Sequence, residues 1–401
     1  MKTNEEMIQE YITKRKLKKR TYYQLKSILE DYSTYQEKTL YELIQEADED
    51  EENQIRWKKR RIKTRLSNHM LYLIERLDLS SAKMYINKIK SFYYFHEIEI
   101  HQLPTFNEKN TYLKKPITYK DLPDKEIIKH AVEMSEPLMR AIILFISSSG
   151  CARVDTLSFK IKHFIEATYP YHETKDIKEA VTIMNDLDED IIPTFDSRRE
   201  KNNKYFITFC SPEATREILN YLTIRLDKIE KRKKENLTRK DKLPVKELSL
   251  EDQLFKITPD WLTRKFQDLN NAMGLGTVGD SEHKKGYIRF RTHMLRKFHA
   301  SNLKKAGMNE YSVNVMQGKS NGKVNDVYFF EDENKLREDY VNFLHGVLIF
   351  TDVKTVKSPE FIKMEKENIE LKKQNERIEN LEKIILGDIS EEKLSKLHKL
   401  L

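Results

Sequence analysis

The residues best suited to chemistry lie in segment 292–303, Thr-His-Met-Leu-Arg-Lys-Phe-His-Ala-Ser-Asn-Leu. His293 and Arg296 are three positions apart, so a helix would place them on one face. An arginine fork can grip a phosphate, and a histidine can move a proton near neutral pH. The pair therefore suggests phosphoryl chemistry, although a solvated His/Arg pair on a surface helix has the same spacing.

Two further segments carry groups that would complete such a site. Residues 150–157 place Arg153 just past a glycine turn that follows an apolar helix. Residues 317–328 place Tyr328 nine positions after Lys319. A tyrosine can attack phosphorus and form a covalent phosphotyrosine, while cations neutralise the phosphate oxygens. No carboxylate cluster or Cys/His spacing suggests a metal, so this set suits metal-free cleavage of a phosphodiester.

A β-hairpin is predicted between these segments. The strand-like stretches 190–195 and 205–210 flank the charged turn 196–204. Lys201 and Lys204 would lie in its basic tip. A lysine there could act as a general acid, which is worth about 10²–10⁴ in rate.

In this order the arginine, hairpin lysine, His-x-x-Arg, Gly-Lys pair and tyrosine resemble the signature of the tyrosine recombinase (phage integrase) family. The resemblance covers roughly residues 15–350. It implies a site-specific DNA recombinase that cleaves and rejoins strands through a 3′-phosphotyrosyl intermediate, with no metal or other cofactor. The catalytic residues that it implies are the clamp arginines Arg153 and Arg296, the proton-handling His293, the hairpin lysine Lys201, Lys319 and the nucleophile Tyr328.

Three positions depart from the family's pattern or leave an alternative. Lys204 is the second choice for the hairpin lysine. Lys319 stands where the family usually has His or Trp, but a lysine can still donate to a phosphate oxygen. Thr156 stands where an acidic residue commonly follows the first arginine, and Asp155 lies one place earlier.

Other residues compete for these roles. Tyr311 and Tyr340 are rival nucleophiles, but each breaks the spacing to the Gly318-Lys319 pair. His299 lies off the face of His293 and is interpreted as a structural residue. Gly274–Gly279 matches G-x-G-x-x-G, but the preceding helix and the charged segment after it argue against dinucleotide binding.

The composition predicts a largely helical protein. The chain has 401 residues, and residues 1–103 contain neither glycine nor proline, so a barrel or sandwich there is excluded. The predicted fold is mainly α with a small β-hairpin or sheet, arranged as a two-domain DNA clamp. The predicted parts are a helical, SAM-like core-binding domain (1–103), a linker (104–116), an α+β tyrosine recombinase catalytic domain (117–352) and a C-terminal helical tail (353–401).

Apolar periodicity locates the helices. In the first domain they are predicted over 18–35, 40–47 and 54–77, and a fourth helix is predicted to begin after a cap at Ser80 or Ser81. In the second they are predicted over 121–134, 136–148, 213–233, 258–273, 292–306, 309–316 and 333–349. In the tail Met364, Leu371, Ile378 and Ile385 recur every seven residues. This heptad indicates either a short coiled coil or a lone amphipathic helix.

Charge is segregated along the chain, although 73 basic and 65 acidic residues leave a net charge of only +8. Basic runs at 14–20, 56–65 and 225–242 suit a polyanion, and solvated helix faces are the alternative. An acidic run at 46–52 separates the first two basic runs. The residues predicted to contact DNA are Lys14, Lys16, Lys18, Lys19, Arg56, Lys59, Arg60, Lys63 and Lys83.

Partners and location follow from these features. Cys151 and Cys210 cannot form a disulfide framework, and no signal peptide or membrane span is recognisable, so an intracellular, cytoplasmic protein near the nucleoid is expected. The expected partner is double-stranded DNA with specific recombination sites. The resemblance implies a tetramer on DNA, with accessory DNA-bending proteins as further candidates. The alternative functions are a type IB-like topoisomerase and a non-catalytic DNA-binding protein on a recombinase scaffold.

Overall fold

The structure is a computed structural model. It describes residues 2–104, 116–201, 203–239, 241–280, 286–320, 332–350, 364, 367 and 370–378. The chain divides into two compact units, one of Met1–Thr118 with Thr277–Tyr287 and one of Tyr119–Gly276 with Ile288–Leu401. Among the described residues, no helix has the length and apolar character needed to cross a membrane.

The first unit is built on helices around an apolar core. That core includes Ile8, Leu29, Leu66, Ile89 and Phe92, which are all at most 1% exposed. A 3₁₀ turn at Trp57–Lys59 precedes the fourth helix. The helices are α1 (Asn4–Lys14), α2 (Lys19–Gln36), α3 (Leu40–Glu52), α4 (Arg61–Ile74) and α5 (Leu79–Phe95).

One helix of this unit was not predicted, and two others begin at residues other than those predicted. Helix α1 was not predicted, although Thr3 and Glu6 form a capping box ahead of its buried apolar face. The helix expected over 54–77 begins only at Arg61, whose backbone N–H donates to Asp50 Oδ2 at 2.6 Å. Helix α5 begins at Leu79 after Asp78, so the two serines lie inside its first turn rather than at its cap.

The second unit is α-helical with a β-hairpin, and its largest buried helix is central. That helix, α7 (Pro137–Ser149), is buried almost throughout and packs against α12 (Pro212–Thr238) and α14 (Thr292–Ala306). The helices before the hairpin are α6 (Lys125–Glu133), α7 (Pro137–Ser149), α8 (Arg153–Ser158), α9 (Ile161–Ala167), α10 (Tyr169–His172) and α11 (Ile177–Asp186). Those after it are α12 (Pro212–Thr238), α13 (Pro259–Ala272), α14 (Thr292–Ala306), α15 (Glu310–Met316) and α16 (Glu333–Phe343), with 3₁₀ turns at Tyr119–Asp121 and Leu344–Gly346.

The hairpin consists of β1 (Thr194–Arg198) and β2 (Tyr205–Phe209), paired antiparallel with Thr194 opposite Phe209. A second, short pair joins β3 (Thr277–Val278) and β4 (Tyr287–Ile288). β1 starts four residues later than predicted because Pro193 has no N–H for a ladder. The mainly α fold with a small β-hairpin is thus confirmed, while helices α8 to α11 were not predicted.

Part of the tail is described. Residues 370–378 are helical, and Met364, Leu371 and Ile378 are each more than half exposed. Ile385 lies outside the described residues, so the coiled coil stays a prediction.

Candidate functional site

Gly150 lies between α7 and α8. It ends α7 with φ +66°, in the left-handed region that favours glycine. A Cβ at this position would lie 2.5 Å from His299 Nδ1 on α14. The close approach of α14 therefore requires glycine at position 150. Arg153, the first residue of α8, follows three positions later.

Arg296 is the best-anchored cation of the site. It is only 7% exposed, and its Nη1 and Nη2 donate to Gly150 O at 2.6 Å and Gln317 O at 2.7 Å. Burial lowers the pKa of Arg296 to about 10, so the guanidinium stays charged at neutral pH. Its Nε–H and the second hydrogen of each terminal nitrogen can still serve a phosphate.

His293 lies one turn before Arg296 on α14, as the spacing predicted. The imidazole is solvent-accessible, but the protein around it excludes enough water to lower its pKa to about 4. The positive charges of Arg291, Lys297, Arg296 and Lys319 act in the same direction. His293 is therefore neutral near pH 7 and able to accept a proton.

Three cationic side chains donate hydrogen bonds to the consecutive backbone carbonyl groups of residues 317–319. This segment is here called the 317–319 loop. Arg296 Nη2 donates to Gln317 O at 2.7 Å, Arg199 Nη1 to Gly318 O at 3.0 Å, and Lys204 Nζ to Lys319 O at 3.0 Å. The donors come from α14 and from the turn between β1 and β2. The loop thus ties the hairpin to the His-x-x-Arg helix.

Lys319, at the end of this loop, is partly exposed and lies near other positive charges. Partial burial lowers its pKa first, and the charges of Arg296, Lys304 and Arg199 lower it further. A lysine with a lowered pKa gives up its proton more readily than a free one.

Asp155 anchors the hairpin turn from α8. Its carboxylate is 3% exposed and accepts the backbone N–H of Glu200 at 2.9 Å. Arg199 Nε lies 3.5 Å from Asp155 Oδ2. Thr156 is buried beside it.

Some of the predicted catalytic residues interact with one another or with the 317–319 loop, and others do not. His293, Arg296 and Lys319 interact electrostatically, and Lys204 reaches the same loop. Lys201 is exposed in the turn. Arg153 Nη1 donates to Thr263 Oγ1 of α13 at 2.7 Å, so its described contact lies on another helix.

The candidate nucleophilic tyrosines differ in how deeply they are buried. Tyr340 is fully buried, donates to Ser148 O at 3.0 Å and stacks on Phe209, and burial raises its pKa well above the usual value. Tyr311 is half-buried at the start of α15. Tyr328 lies outside the described residues, so its role stays a prediction.

Sequence reasoning missed two parts of this centre. Arg199 was not singled out, because no motif or spacing distinguishes it from its neighbour Arg198. Gln317 was also missed, and its Nε2 donates to Arg296 O at 3.0 Å and lies 3.0 Å from His299 Nδ1. His299 is fully buried, and burial lowers its pKa to about 3, which suits the structural role predicted for it.

The acidic run and the second basic run neutralise one another in the first unit. Arg60 pairs with Glu51, Arg61 with Asp50, and Arg65 with Glu46. These three arginines therefore have acidic partners within the first unit, and the DNA contact predicted for Arg60 stays a prediction. The sequence showed two opposed runs, and the packing of α3 on α4 brings them together.

The remaining predicted DNA contacts differ in availability. Lys14 pairs with Glu10, Lys18 and Lys83 also make contacts, and the side chain of Lys19 is not described. Lys16, Arg56, Lys59 and Lys63 have no ion-pair partner within the described ranges.

We expect Arg65→Ala to lower the free energy of unfolding of the first unit by about 3 kcal/mol at pH 7, because it strips a buried carboxylate of its main partner. Glu46 is 6% exposed, and its bonds to Arg65 and Lys38 hold its pKa at about 2 against desolvation, below the ordinary 4.5. A depressed carboxyl pKa stabilises the fold above about pH 5, and this contribution disappears as the pH falls towards about 2. The difference between wild type and variant should therefore shrink over that range.

The measurement is urea unfolding followed by Trp57 fluorescence in a Trp261→Phe background, since Trp57 packs in the first unit. Lys63→Ala, two positions away on the same helix, is the control and should change stability by less than about 0.5 kcal/mol. Equal losses in the two variants would contradict the role given to the Arg65–Glu46 pair.

No protein-family model matches the sequence, and no curated protein sequence matches it. Similar solved structures include XerA recombinase, 16% identical over 84% of this chain and 96% of that chain, with a TM-score of 0.31. XerH site-specific recombinase bound to difH substrate is 18% identical over 69% of each chain, with a TM-score of 0.37. The Tn1549 transposon integrase in complex with transposon right end DNA is 13% identical over 84% of this chain and 98% of that chain, with a TM-score of 0.39. Likeness at this level assigns no residue role in this chain.

Proposed function

We propose that this chain is a tyrosine site-specific recombinase that cleaves and rejoins DNA strands through a 3′-phosphotyrosyl intermediate. The observation that carries the proposal is the meeting of three separate segments at one loop. Arg296 of α14 and Lys204 of the hairpin turn donate to carbonyl groups of residues 317–319, and the charge of Lys319 in that loop acts on His293. A cluster of fixed cations with one neutral histidine suits a phosphodiester better than any apolar ligand.

Each group has a distinct chemical task in this mechanism. The Tyr328 oxygen attacks phosphorus, and the bond to the 5′ oxygen breaks as the phosphotyrosine ester forms. Arg296 and Arg153 neutralise the non-bridging oxygens, and losing one such preorganised donor costs on the order of 10²–10³ in rate. Neutral His293 accepts the tyrosine proton.

The hairpin lysine of this mechanism is Lys204 rather than Lys201. Its ammonium is 3.0 Å from Lys319 O, so it already reaches the loop that carries the other cations. On DNA it would leave this carbonyl and protonate the departing 5′ oxygen. The 5′ hydroxyl then rejoins the phosphotyrosine of a second strand in the reverse reaction.

Lys319 fills the position expected for a histidine or tryptophan. Its lowered pKa and its exposure suit a donor to a non-bridging phosphate oxygen. The substitution is thus compatible with catalysis, which disfavours a decayed, non-catalytic scaffold.

The finer features of the proposal concern assembly and location. The chain would bind double-stranded DNA at paired specific sites, work as a tetramer with accessory DNA-bending proteins, and serve a phage or other mobile element in the cytoplasm. Strand exchange that requires two specific sites would distinguish it from a topoisomerase. The direct test of the chemistry is covalent trapping of the chain on nicked DNA through Tyr328.

A second test concerns DNA affinity. We expect Lys63→Gln to weaken DNA binding and to reduce the slope of log K against log salt by about 1, because one phosphate contact and its released counterion are lost. Arg60→Gln should leave this slope unchanged, since Arg60 is already paired with Glu51. Fluorescence anisotropy with a labelled duplex at several salt concentrations measures both, and an equal change in slope would contradict the assignment of Lys63 to the DNA surface.

A further inference from the structure

Arg199 belongs to no motif, yet it sits at the centre of the candidate site. It is the first residue after β1, and its side chain is 13% exposed. Nη1 donates to Gly318 O at 3.0 Å, and Nε lies 3.5 Å from Asp155 Oδ2. One guanidinium thus joins α8, the hairpin turn and the 317–319 loop.

The backbone at Gly318 is shaped around this arginine. Gly318 has φ +58°, and a Cβ there would lie 2.4 Å from Arg199 Cδ and 2.8 Å from Cγ. The aliphatic stem of Arg199 therefore lies directly against the glycine. Any larger residue at position 318 would displace both the loop and the arginine.

The same residue closes the turn that carries Lys204. The backbone N–H of Arg199 donates to Lys204 O at 2.9 Å, and Arg199 O accepts from the N–H of Asn203 at 2.8 Å. The side chain of Arg199 therefore holds the 317–319 loop, and its main chain holds the turn that carries Lys204. Lys204 Nζ joins the turn to the same loop by donating to Lys319 O.

We propose that Arg199 is a positioning residue that sets Lys204 and Lys319 at a fixed distance from each other by clamping Gly318 to the hairpin turn. This inference deepens the proposed function and rests on it. A guanidinium suits the task because its rigid fork can hold a carbonyl and a carboxylate at once, whereas an ammonium is a single point charge on a flexible stem. Arg199 itself is not assigned to the reacting atoms.

The contact is tested first without DNA. In Arg199→Met, which keeps an unbranched apolar stem but has no donors, the amide hydrogens of residues 317–320 should exchange at least about tenfold faster, because the loop opens locally at lower cost. Arg198→Met, one position earlier and exposed, is the matched control and should leave this exchange unchanged. Unchanged exchange in Arg199→Met would overturn the inference.

The consequence for chemistry is tested with two nicked duplexes, one ordinary and one carrying sulfur in place of the bridging 5′ oxygen at the cleavage position. A thiolate leaves without a proton, so the second DNA bypasses a misplaced lysine. We expect Arg199→Met to slow covalent adduct formation about 10²-fold on ordinary DNA, the cost of a misplacement near 1 Å. On the sulfur DNA the loss should be at least about tenfold smaller than on ordinary DNA, because only the misplacement of Lys319 still slows the reaction. Arg199→Lys should be intermediate on ordinary DNA.

The outcomes separate the two claims. Equal losses on both DNAs, with a reactive wild-type chain, would overturn the positioning role of Arg199 and leave the proposed function standing. A wild-type chain that forms no adduct on either DNA would contradict the proposed function and this inference with it. A melting temperature for Arg199→Met close to wild type shows that the variant is folded.

Discussion

The wild-type chain is expected to form a covalent adduct with nicked duplex DNA under the proposed mechanism, and Tyr328→Phe is expected to abolish it. Phenylalanine keeps the ring and removes the only atom that can attack phosphorus, so no phosphotyrosine can form. The nick lies a few nucleotides 3′ of the cleavage position, so the short fragment that carries the 5′ hydroxyl diffuses away, which prevents rejoining and traps the ester. Since the target sequence is unidentified, the substrate is a pool of nicked duplexes of randomised sequence, and the adduct is detected as a shift in denaturing gels.

Two tyrosine variants serve as controls for this experiment. Tyr311→Phe should retain the adduct, because Tyr311 is half-buried at the start of α15 and breaks the spacing to Lys319. Tyr340→Phe should also retain it and lose only about 1 kcal/mol of stability with its bond to Ser148 O.

The results discriminate between three readings of the chain. An adduct that persists in Tyr328→Phe and disappears in Tyr311→Phe would move the nucleophile to Tyr311. If no duplex in the pool forms an adduct, the result would favour a DNA-binding protein without catalysis.

Lys204→Ala is expected to slow adduct formation on ordinary DNA by about 10²–10⁴-fold, the range for loss of a general acid. The neighbouring Lys201→Ala should change the rate by less than about threefold. Both lysines lie in the same turn, so the pair is a matched test in which net charge changes equally. Lys201 is exposed, whereas Lys204 Nζ contacts Lys319 O.

Leaving-group chemistry distinguishes proton donation from simple attraction of DNA. With sulfur at the bridging 5′ position, Lys204→Ala should react at nearly the wild-type rate, because a thiolate needs no general acid. A variant that merely bound DNA poorly would remain slow on both substrates. If Lys201→Ala shows the large loss and the sulfur rescue instead, Lys201 is the hairpin lysine and the preference for Lys204 is wrong.

The helices that carry the site could be predicted where their apolar period is regular. Helix α14 was predicted with its observed bounds, and α15 within one residue, because capping and periodicity agree there. Helices α8 to α11 are short and follow one another closely, so no window contains enough periodic residues to reveal them. The late start of β1 depended on Pro193, a local feature that the sequence contains and the prediction did not use.

The amino-acid sequence by itself determined the helical class, the hairpin and the shared face of His293 and Arg296. These follow from interactions between residues a few positions apart, which spacing and turn chemistry express directly. Only the tertiary structure decided that Lys204 rather than Lys201 reaches the 317–319 loop, that Arg199 spans Asp155 and Gly318, and that Glu46 neutralises Arg65. Those pairings join residues up to 119 positions apart, and their geometry depends on how whole helices and a hairpin pack, which no local pattern encodes.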